Sequence, residues 1–317
     1  MLARLSVASL FIFLMGCQAA DEHTVPDWQL GPFTRYEGNP ILMPQGDTWE
    51  AKDVFNPTAW TDGSTVYLLY RAEDSTGIGV WNGTSRVGLA TSTDGFTFTR
   101  EPEPILGPSE SFELPGGVED PRIVRIDSLF YLTYTAYDGE TARLALATSP
   151  DLRTWTKHGP IVPEVGWSKS GAILTTPIDS RYWMYFGDTN LWAAHSKNLI
   201  DWTVVEEPVL KIRPGMFDNR LVEPGPQPIL TDDGILLLYN SADSSLVYRT
   251  AQALFDPTDP TKLLARSEEP FMTPDTYLEQ TGQVANVVFI EGLVRFKDQW
   301  FLYFGMGDSG IGVATAP

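Results

Sequence analysis

The chain has 317 residues, and its 41 Asp and Glu against 22 Lys and Arg give a formal net charge of −19. This acidic balance argues against nucleic acid and anionic lipid head groups as partners, because both bind basic surfaces. Cys17 is the only cysteine. A disulfide within the chain is therefore excluded, and with no cluster of His or Cys the sequence predicts no metal and no cofactor.

The N-terminal residues are predicted to direct export. Arg4 precedes the apolar run Leu5–Met15, which has the length of a signal peptide and is too short to span a bilayer. The run ends in a Leu-Met-Gly-Cys sequence that resembles a bacterial lipobox. We expect residues 1–16 to be a signal peptide, Cys17 to be lipidated and residues 17–26 to be a tether; an ordinary secretory signal is the alternative. The lipid would be the only membrane contact of a protein in the periplasm or on the outer-membrane surface.

One pattern of alternating aromatic and aliphatic residues recurs five times along the rest of the chain, and each copy predicts a strand. The copies are Val66–Tyr70, Phe130–Tyr134, Tyr182–Phe186, Ile235–Tyr239 and Trp300–Phe304. A second strand follows each copy, and four of the five units end in a Pro-apolar segment. Those closing segments are Glu103–Leu106, Gly159–Val162, Glu207–Leu210 and Glu269–Met272.

The closing segment of the fifth unit is predicted to come from the N-terminal side of the chain. Phe33–Leu42 closely matches Phe98–Leu106, and a strand supplied in this way would leave no unit with an open edge. No segment shows a sustained helical period. The sequence therefore predicts an all-β, five-bladed β-propeller over residues 27–317, closed by an N-terminal strand that completes the last blade. A β-sandwich is the alternative.

The first strand of each blade would line the central axis, and its entrance carries a polar residue. These entrances are at Asn56, Asp120, Lys169, Glu223 and, for the fifth blade, Gln283–Asn286. Five polar entrances in equivalent positions would converge in one concave site, which is the usual place for ligand binding.

The stretches at these entrances resemble glycoside hydrolase family 130. They are Val54–Pro57, Tyr70–Ala72, Gly116–Arg122, Trp167–Gly171, Glu223–Pro226 and Asn286–Phe289. The family comprises five-bladed propellers that act on β-mannosides, some as phosphorylases and some as hydrolases. The resemblance covers nearly all of the chain beyond the tether, and it implies a β-mannoside oligosaccharide or glycan as the substrate.

The resemblance also implies roles for particular residues. Asp120 would be the proton donor, acting through a hydroxyl of the bound mannose; a salt-bridged structural Asp is the alternative. Glu223 is the expected base, and Glu279 is a second candidate for the base or a sugar ligand, unless it is a solvated loop acid. Trp167 could stack on a sugar, or pack in the core. The expected substrate-binding residues are Asn56, Arg71, Arg86, Asp138, Lys169, Asn286 and Asp308.

The second acid decides between water and phosphate as the acceptor. An inverting hydrolase needs a base across the sugar ring from the acid, whereas a phosphorylase needs cations for phosphate, which an acid would repel. Glu223 favours water, and His23, His158 and His195 all lie away from the predicted site. The sequence thus predicts an inverting, exo-acting β-mannosidase, with β-1,2 linkages as the candidate specificity. The alternatives are a β-mannoside phosphorylase and a non-catalytic glycan-binding lipoprotein.

Overall fold

The computed structural model describes residues 26–76 and 83–317. The predicted signal peptide, Cys17 and the tether up to residue 25 lie outside the described residues. Within these ranges the protein is all-β, as predicted, with one short α-helix, α1 (Tyr277–Thr281), and a 3-10 turn at Ser111–Glu113. No helix in this part of the chain is long and apolar enough to cross a membrane.

The strands form five antiparallel sets, preceded by the short strand β1 (Thr34–Arg35). The first set is β2 (Asp53–Thr61), β3 (Val66–Glu73), β4 (Ser85–Ser92) and β5 (Thr99–Arg100). The second is β6 (Gly117–Ile126), β7 (Leu129–Tyr137), β8 (Ala142–Ser149) and β9 (Thr156–Pro160). A single parallel bridge, between Ser85 and Gly117, joins these two sets.

The remaining sets follow in chain order. The third is β10 (Ala172–Ile178), β11 (Arg181–Phe186), β12 (Trp192–Ser196) and β13 (Thr203–Val204). The fourth is β14 (Leu221–Pro224), β15 (Ile229–Leu230), β16 (Ile235–Ala242), β17 (Tyr248–Phe255) and β18 (Leu263–Arg266). The fifth is β19 (Val288–Phe296), β20 (Gln299–Met306) and β21 (Gly310–Ala316).

The N-terminal segment completes the fifth set. Strand β1 pairs antiparallel with β21, with Thr34 opposite Thr315, and Leu42 forms an isolated bridge with Ile311. The sequence prediction that this segment supplies the missing strand is confirmed. The pairing also covers the edge that β21 would otherwise expose.

Apolar side chains pack between neighbouring sets. Leu69 of the first set, for example, belongs to one buried cluster with Val118 and Tyr134 of the second. Tyr185 of the third set likewise shares a cluster with Val222 and others of the fourth. Fully burying one large apolar side chain contributes about 1.5–3 kcal/mol, so each interface between sets is held mainly by such contacts.

Side-chain hydrogen bonds link each set to the next and the fifth set to the first. The bonded pairs are Thr58 with Ile123, Thr133 with Gly171, Ser170 with Glu223, Asn240 with Ile290, and Asn56 with Glu291. This order of contacts is the one that five blades around an axis require. No closed sheet runs through the sets, so the all-β class is confirmed while the five-bladed propeller stays a prediction.

Candidate active site

Six of the predicted site residues line one cavity of about 210 Å³ at the beginnings of the first strands. They are Asn56, Arg71, Asp120, Lys169, Glu223 and Asp308. Phe55, Tyr248 and Phe289 contribute aromatic surface to the same cavity. The structure thus gathers charged residues from every set of strands into one concave site, which is hereafter called the axial pocket.

β-Bulges in the backbone orient two of these side chains. The pairing of β2 with β3 shifts register between Phe55 and Thr58, and that of β6 with β7 shifts between Glu119 and Arg122. Asn56 and Asp120 lie in these bulges with φ of 46° and 47°. Asn and Asp tolerate this left-handed conformation better than other non-Gly residues, and a bulge re-aims the side chain that it carries. Both residues precede a proline, which cannot pair in the ladder.

Arg71 binds three carboxylates at the back of the axial pocket. Its guanidinium donates to Asp120 Oδ1 at 2.9 Å, to Glu119 Oε1 at 2.9 Å and to Glu73 Oε1 at 2.6 Å. The carbon at the centre of the guanidinium lies 4.6 Å from the centroid of the Phe55 ring. These contacts fix the orientation of Asp120 and occupy most of the N–H donors of Arg71.

Lys169 connects the two expected catalytic acids. Its Nζ lies 3.2 Å from Asp120 Oδ2 and 3.5 Å from Glu223 Oε1. Because both oxygens contact the same Nζ atom, the two carboxyl groups lie close enough together to contact one ligand. Glu223 also accepts a hydrogen bond from Ser170. Both carboxylates are buried, so each depends on these partners.

The acids of the axial pocket differ in pKa. Burial raises the pKa of Asp120, but Lys169, Arg71 and Arg122 outweigh burial and hold it well below its usual range. Burial raises the pKa of Glu223, and it raises the pKa of Glu119 and of Asp308 to about 7 each. In the ligand-free pocket Asp120 is thus ionised and its neighbours take up protons more readily. A role as proton donor would require that its contacts with these cations be weakened first.

Arg122 lies beneath the axial pocket and ties three sets of strands together. It donates to the backbone oxygens of Gly225 and Pro224 at 2.9 and 2.7 Å, and it pairs with Glu291 Oε1 at 3.0 Å. Asn56 Nδ2 donates to the same Glu291 oxygen at 3.0 Å. Burial raises the pKa of Glu291 to about 8. The two ion-paired residues support the pocket from below without lining it.

Glu279 lies outside the axial pocket, which corrects the expectation that it serves as base or sugar ligand. Its buried carboxylate pairs with Arg35 Nε at 2.9 Å. It also accepts from the backbone N–H of Thr276 at 3.0 Å, at the N-terminus of α1. A capped and ion-paired carboxylate of this kind has little capacity left for a substrate.

The contacts of Glu279 repeat an ion-pair arrangement that is found in three other sets of strands. In each, a buried acid before the first strand pairs with a cation on the outermost strand. The acids are Glu50, Glu113, Asp218 and Glu279, and their partners are Arg100, Lys157, Arg266 and Arg35. In the first, second and fourth sets a buried tyrosine also donates to the acid. The repetition indicates that Glu279 stabilises the fifth set of strands.

Arg86 and Asp138 also lie outside the axial pocket and need correction. Arg86 pairs with Asp74 at 2.5 Å, and Asp138 pairs with Arg143 at 2.6 Å. Asp243 and Arg249 form the same pair in the fourth set. In each case an acid that follows the second strand binds an arginine on the third. The recurring loop acid therefore fixes a strand connection, and neither predicted ligand faces the pocket.

The predicted positions of Asn286 and of the entrance to the fifth set also need correction. Asn286 does not line the axial pocket; it precedes β19 with φ of 61°, and its backbone oxygen accepts a hydrogen bond from Tyr248 N at 2.8 Å. The first strand of the fifth set begins at Val288, later than the predicted entrance at Gln283–Asn286. Trp167 is half exposed, and its Nε1 donates to Asp188 Oδ2 at 2.8 Å, so it is not a core residue.

Sequence reasoning missed several charged residues of the site. Glu119 and Glu73 share Arg71 with Asp120, and Glu291 lies buried within β19. A carboxylate inside an otherwise apolar strand, as in Val-Val-Phe-Ile-Glu, was the signal that could have identified Glu291. Glu119 adjoins Asp120 in sequence, and only the bulge reveals that both face Arg71.

An all-β chain whose axial pocket holds paired, buried carboxylates has the site of a glycoside-cleaving enzyme. Residues 29–317 match the Glyco_hydro_130 family model, which is described as β-1,4-mannooligosaccharide phosphorylase. The chain belongs to glycoside hydrolase family 130.

Three relatives illustrate the similarity. The 1,2-β-oligomannan phosphorylase of Thermoanaerobacter sp. (strain X514) is 36% identical over 286 residues, which is 88% of this chain and 95% of the relative. The crystal structure of a glycosyl hydrolase from Bacteroides ovatus is 39% identical with a TM-score of 0.89, covering 92% of this chain and 95% of the other.

The third is a structure described as "The GH130 family of mannoside phosphorylases contains glycoside hydrolases that target beta-1,2 mannosidic linkages in Candida mannan". It is 40% identical, with a TM-score of 0.89, and covers 92% of this chain and 95% of the other. The curated relatives with names for their activity on mannosides are phosphorylases. They support the phosphorylase alternative better than the hydrolysis that the sequence predicts.

Proposed function

We propose that this protein removes a terminal β-linked mannose from mannosides, with β-1,2 linkages as its specificity and water as the acceptor. The observation that carries the proposal is the shared position of Asp120 and Glu223 on Lys169, which brings two buried carboxylates close enough to flank one sugar ring. The β-1,2 linkage is the one that the descriptions of several similar proteins name.

Water is favoured as the acceptor by the charges of the axial pocket. Asp120, Glu223 and Asp308 line it, and its two lining cations, Arg71 and Lys169, are already shared among carboxylates. A phosphate dianion would have to displace these carboxylates and would meet their repulsion. A water molecule between Glu223 and the sugar carries no such cost.

In the proposed reaction Asp120 supplies a proton to the leaving oxygen through a mannose hydroxyl, and Glu223 removes a proton from the attacking water. Hydroxyl groups of the sugar would take over contacts that Lys169 and Arg71 make with Asp120, which raises its pKa toward a value suited to proton transfer. Asn56, Arg71 and Asp308 would bind the mannose. Inversion at the anomeric carbon follows from attack on the face opposite the acid.

Phosphorolysis is the second candidate function, and the named activities of the curated relatives favour it. In that reaction Lys169 and Arg71 would bind phosphate in place of a carboxylate, and Glu223 would have to be protonated. The raised pKa of Glu223, which burial causes, makes this protonation easier than for an exposed glutamate. The non-catalytic glycan-binding alternative lacks a supporting observation.

The acceptor is decided by incubating the purified protein with β-1,2-mannobiose in phosphate-free buffer and in buffer with inorganic phosphate. We expect free mannose at equal rates in both, with the α-anomer formed first in the proton NMR spectrum. The Asp120→Asn variant is the inactive control. Turnover that requires phosphate and yields mannose 1-phosphate would replace hydrolysis by phosphorolysis. No turnover under either condition would reject both.

We further propose that the protein is exported and anchored through Cys17, as the N-terminal sequence predicts. Metabolic labelling with a palmitate analogue should label the full-length protein and leave a Cys17→Ser variant unlabelled. Release of the unmodified Cys17 protein into the soluble fraction, without any label, would contradict the anchor.

A further inference from the structure

A second cavity, of about 390 Å³, lies at the opposite ends of the strands that form the axial pocket. Asn56 lines the axial pocket, whereas Ala59, Trp60 and Thr61 of the same strand line the second cavity. All five sets contribute in this way to both cavities. A strand advances about 3.3 Å per residue, so the two cavities are separate sites. The second one is hereafter called the distal cavity.

The distal cavity is basic in a strongly acidic protein. Arg125 and Arg295 line it, and no Asp or Glu does. Among residues 26–76 and 83–317, ten of the arginines form ion pairs with carboxylates, but Arg125 and Arg295 do not. In a chain with 41 acids against 22 basic residues, two unpaired guanidinium groups in one cavity form a local site for negative charge.

Aromatic rings hold both guanidinium groups in place. Arg125 lies over the Trp60 ring, 5.3 Å from its centroid, and Arg295 lies over the Trp300 ring at 5.7 Å. Each arginine faces the first residue of the recurring aromatic motif, since Arg125 pairs with Phe130 and Arg295 with Trp300. A stacked guanidinium keeps its N–H donors in a fixed fork, so it binds a planar or tetrahedral oxyanion with little further loss of entropy.

We propose that the distal cavity binds a phosphate monoester of a sugar and that Arg125 and Arg295 supply its positive charge. Two guanidinium groups without a competing carboxylate match the charge of a phosphate dianion. Thr175 and Thr176 supply hydroxyl groups at the cavity wall, and Trp60 and Trp300 supply apolar surface for the ring of a sugar. The site is independent of the acceptor used in the axial pocket.

The proposal is tested by calorimetric titration of the purified protein with mannose 6-phosphate, inorganic phosphate and mannose. We expect saturable binding of the sugar phosphate and weaker binding of inorganic phosphate. Any binding of mannose should be independent of Arg125. Equal affinity for inorganic phosphate and the sugar phosphate would assign the site to phosphate itself and overturn the sugar part of the proposal.

Variants separate the distal cavity from the axial pocket. The double variant Arg125→Gln/Arg295→Gln should lose at least about tenfold in affinity for the sugar phosphate, and the Lys double variant should lose less because it keeps the charge. Arg181→Gln is the matched control and should bind as wild type, because Arg181 is a half-buried arginine outside this cavity that also forms no ion pair among the described residues. Binding that survives the Gln double variant but is lost in Asp120→Asn would place the ligand in the axial pocket and overturn the proposal.

Discussion

Asp120 and Glu223 are held by the same nitrogen atom: Lys169 Nζ lies 3.2 Å from an oxygen of the first and 3.5 Å from an oxygen of the second. The shared cation keeps two like charges close together in a buried site, where their repulsion would otherwise be large. It also sets the protonation of both acids before a substrate arrives.

Replacing Lys169 by Gln should therefore change the pH dependence of the enzyme. Lys169 lowers the pKa of both acids, so its removal raises both, and the acidic limb of kcat/KM should move to higher pH. We expect a fall of about tenfold or more in kcat/KM at neutral pH. Lys169→Arg, which keeps the charge, is the control and should retain the position of the limb. An unchanged limb in the Gln variant would show that neither acid controls this pKa.

The role of Glu223 can be identified by chemical rescue. We expect Glu223→Ala to lower kcat on an aryl β-mannoside by a factor of about 10²–10⁴. Azide should restore turnover, because it attacks without a base, and the product should be α-mannosyl azide. Glu279→Ala is the matched control, with activity that does not respond to azide. If azide fails on the Glu223 variant but restores activity to Glu279→Ala, the two glutamates exchange roles.

The role of Asp120 can be identified from the leaving group. We expect Asp120→Asn to lose about 10²–10⁴-fold in kcat on mannobiose, whose leaving oxygen needs a proton. The loss should be much smaller for an aryl mannoside such as the 2,4-dinitrophenyl compound, whose phenolate leaves unprotonated. Equal losses on both substrates would mean that Asp120 binds or positions the sugar and does not protonate the leaving group.

Glu279 should affect stability more than catalysis. Glu279→Gln removes a buried ion pair with Arg35 and weakens the cap of α1. We expect the free energy of unfolding to fall by about 1–3 kcal/mol, with kcat/KM at a temperature well below Tm unchanged. The exposed Glu269→Gln variant should alter neither quantity. If the Glu279→Gln variant had a normal Tm but no turnover, Glu279 would have a role in catalysis.

The stability of the protein should decrease as pH rises through the neutral range. Burial raises the pKa of Glu291 to about 8 and that of Asp308 to about 7, above their values in an unfolded chain. At a pH between the pKa of each group in the unfolded chain and its raised pKa in the folded protein, the folded state holds more protons than the unfolded state. The free energy of unfolding therefore falls with increasing pH. Denaturant unfolding at pH 6 and pH 8.5 measures this slope.

Glu291→Gln should reduce that slope, because glutamine carries no titrating proton. The exposed Glu140→Gln variant should keep the wild-type slope. The assignment fails if the unfolding free energy of Glu291→Gln depends on pH as steeply as that of wild type.

Repeated local patterns made much of the architecture predictable. The five aromatic motifs located the second strand of every set, and the match between Phe33–Leu42 and Phe98–Leu106 revealed the pairing of β1 with β21. The same match places Arg35 opposite Arg100 in the alignment of the repeats. The ion pairs of these two arginines show that Glu279 is the counterpart of Glu50.

The composition of the site was less predictable than its position. Six predicted residues line the axial pocket, and five of them belong to the motif stretches from which the site was predicted. Arg86 and Asp138 were misplaced, since a loop acid can bind a neighbouring arginine as readily as a sugar. The pKa of Asp120 was also beyond sequence reasoning, because it depends on cations that β3 and the segment before β10 bring near.

The order in which the chain is made gives the pairing of β1 with β21 a consequence for biogenesis. Thr315 is synthesised much later than its partner Thr34, so the fifth set remains incomplete until β21 has been made. Until then, β1 lacks the strand with which it finally pairs. Successful maturation therefore requires that the emerging polypeptide be kept from pairing with other copies until its two ends meet.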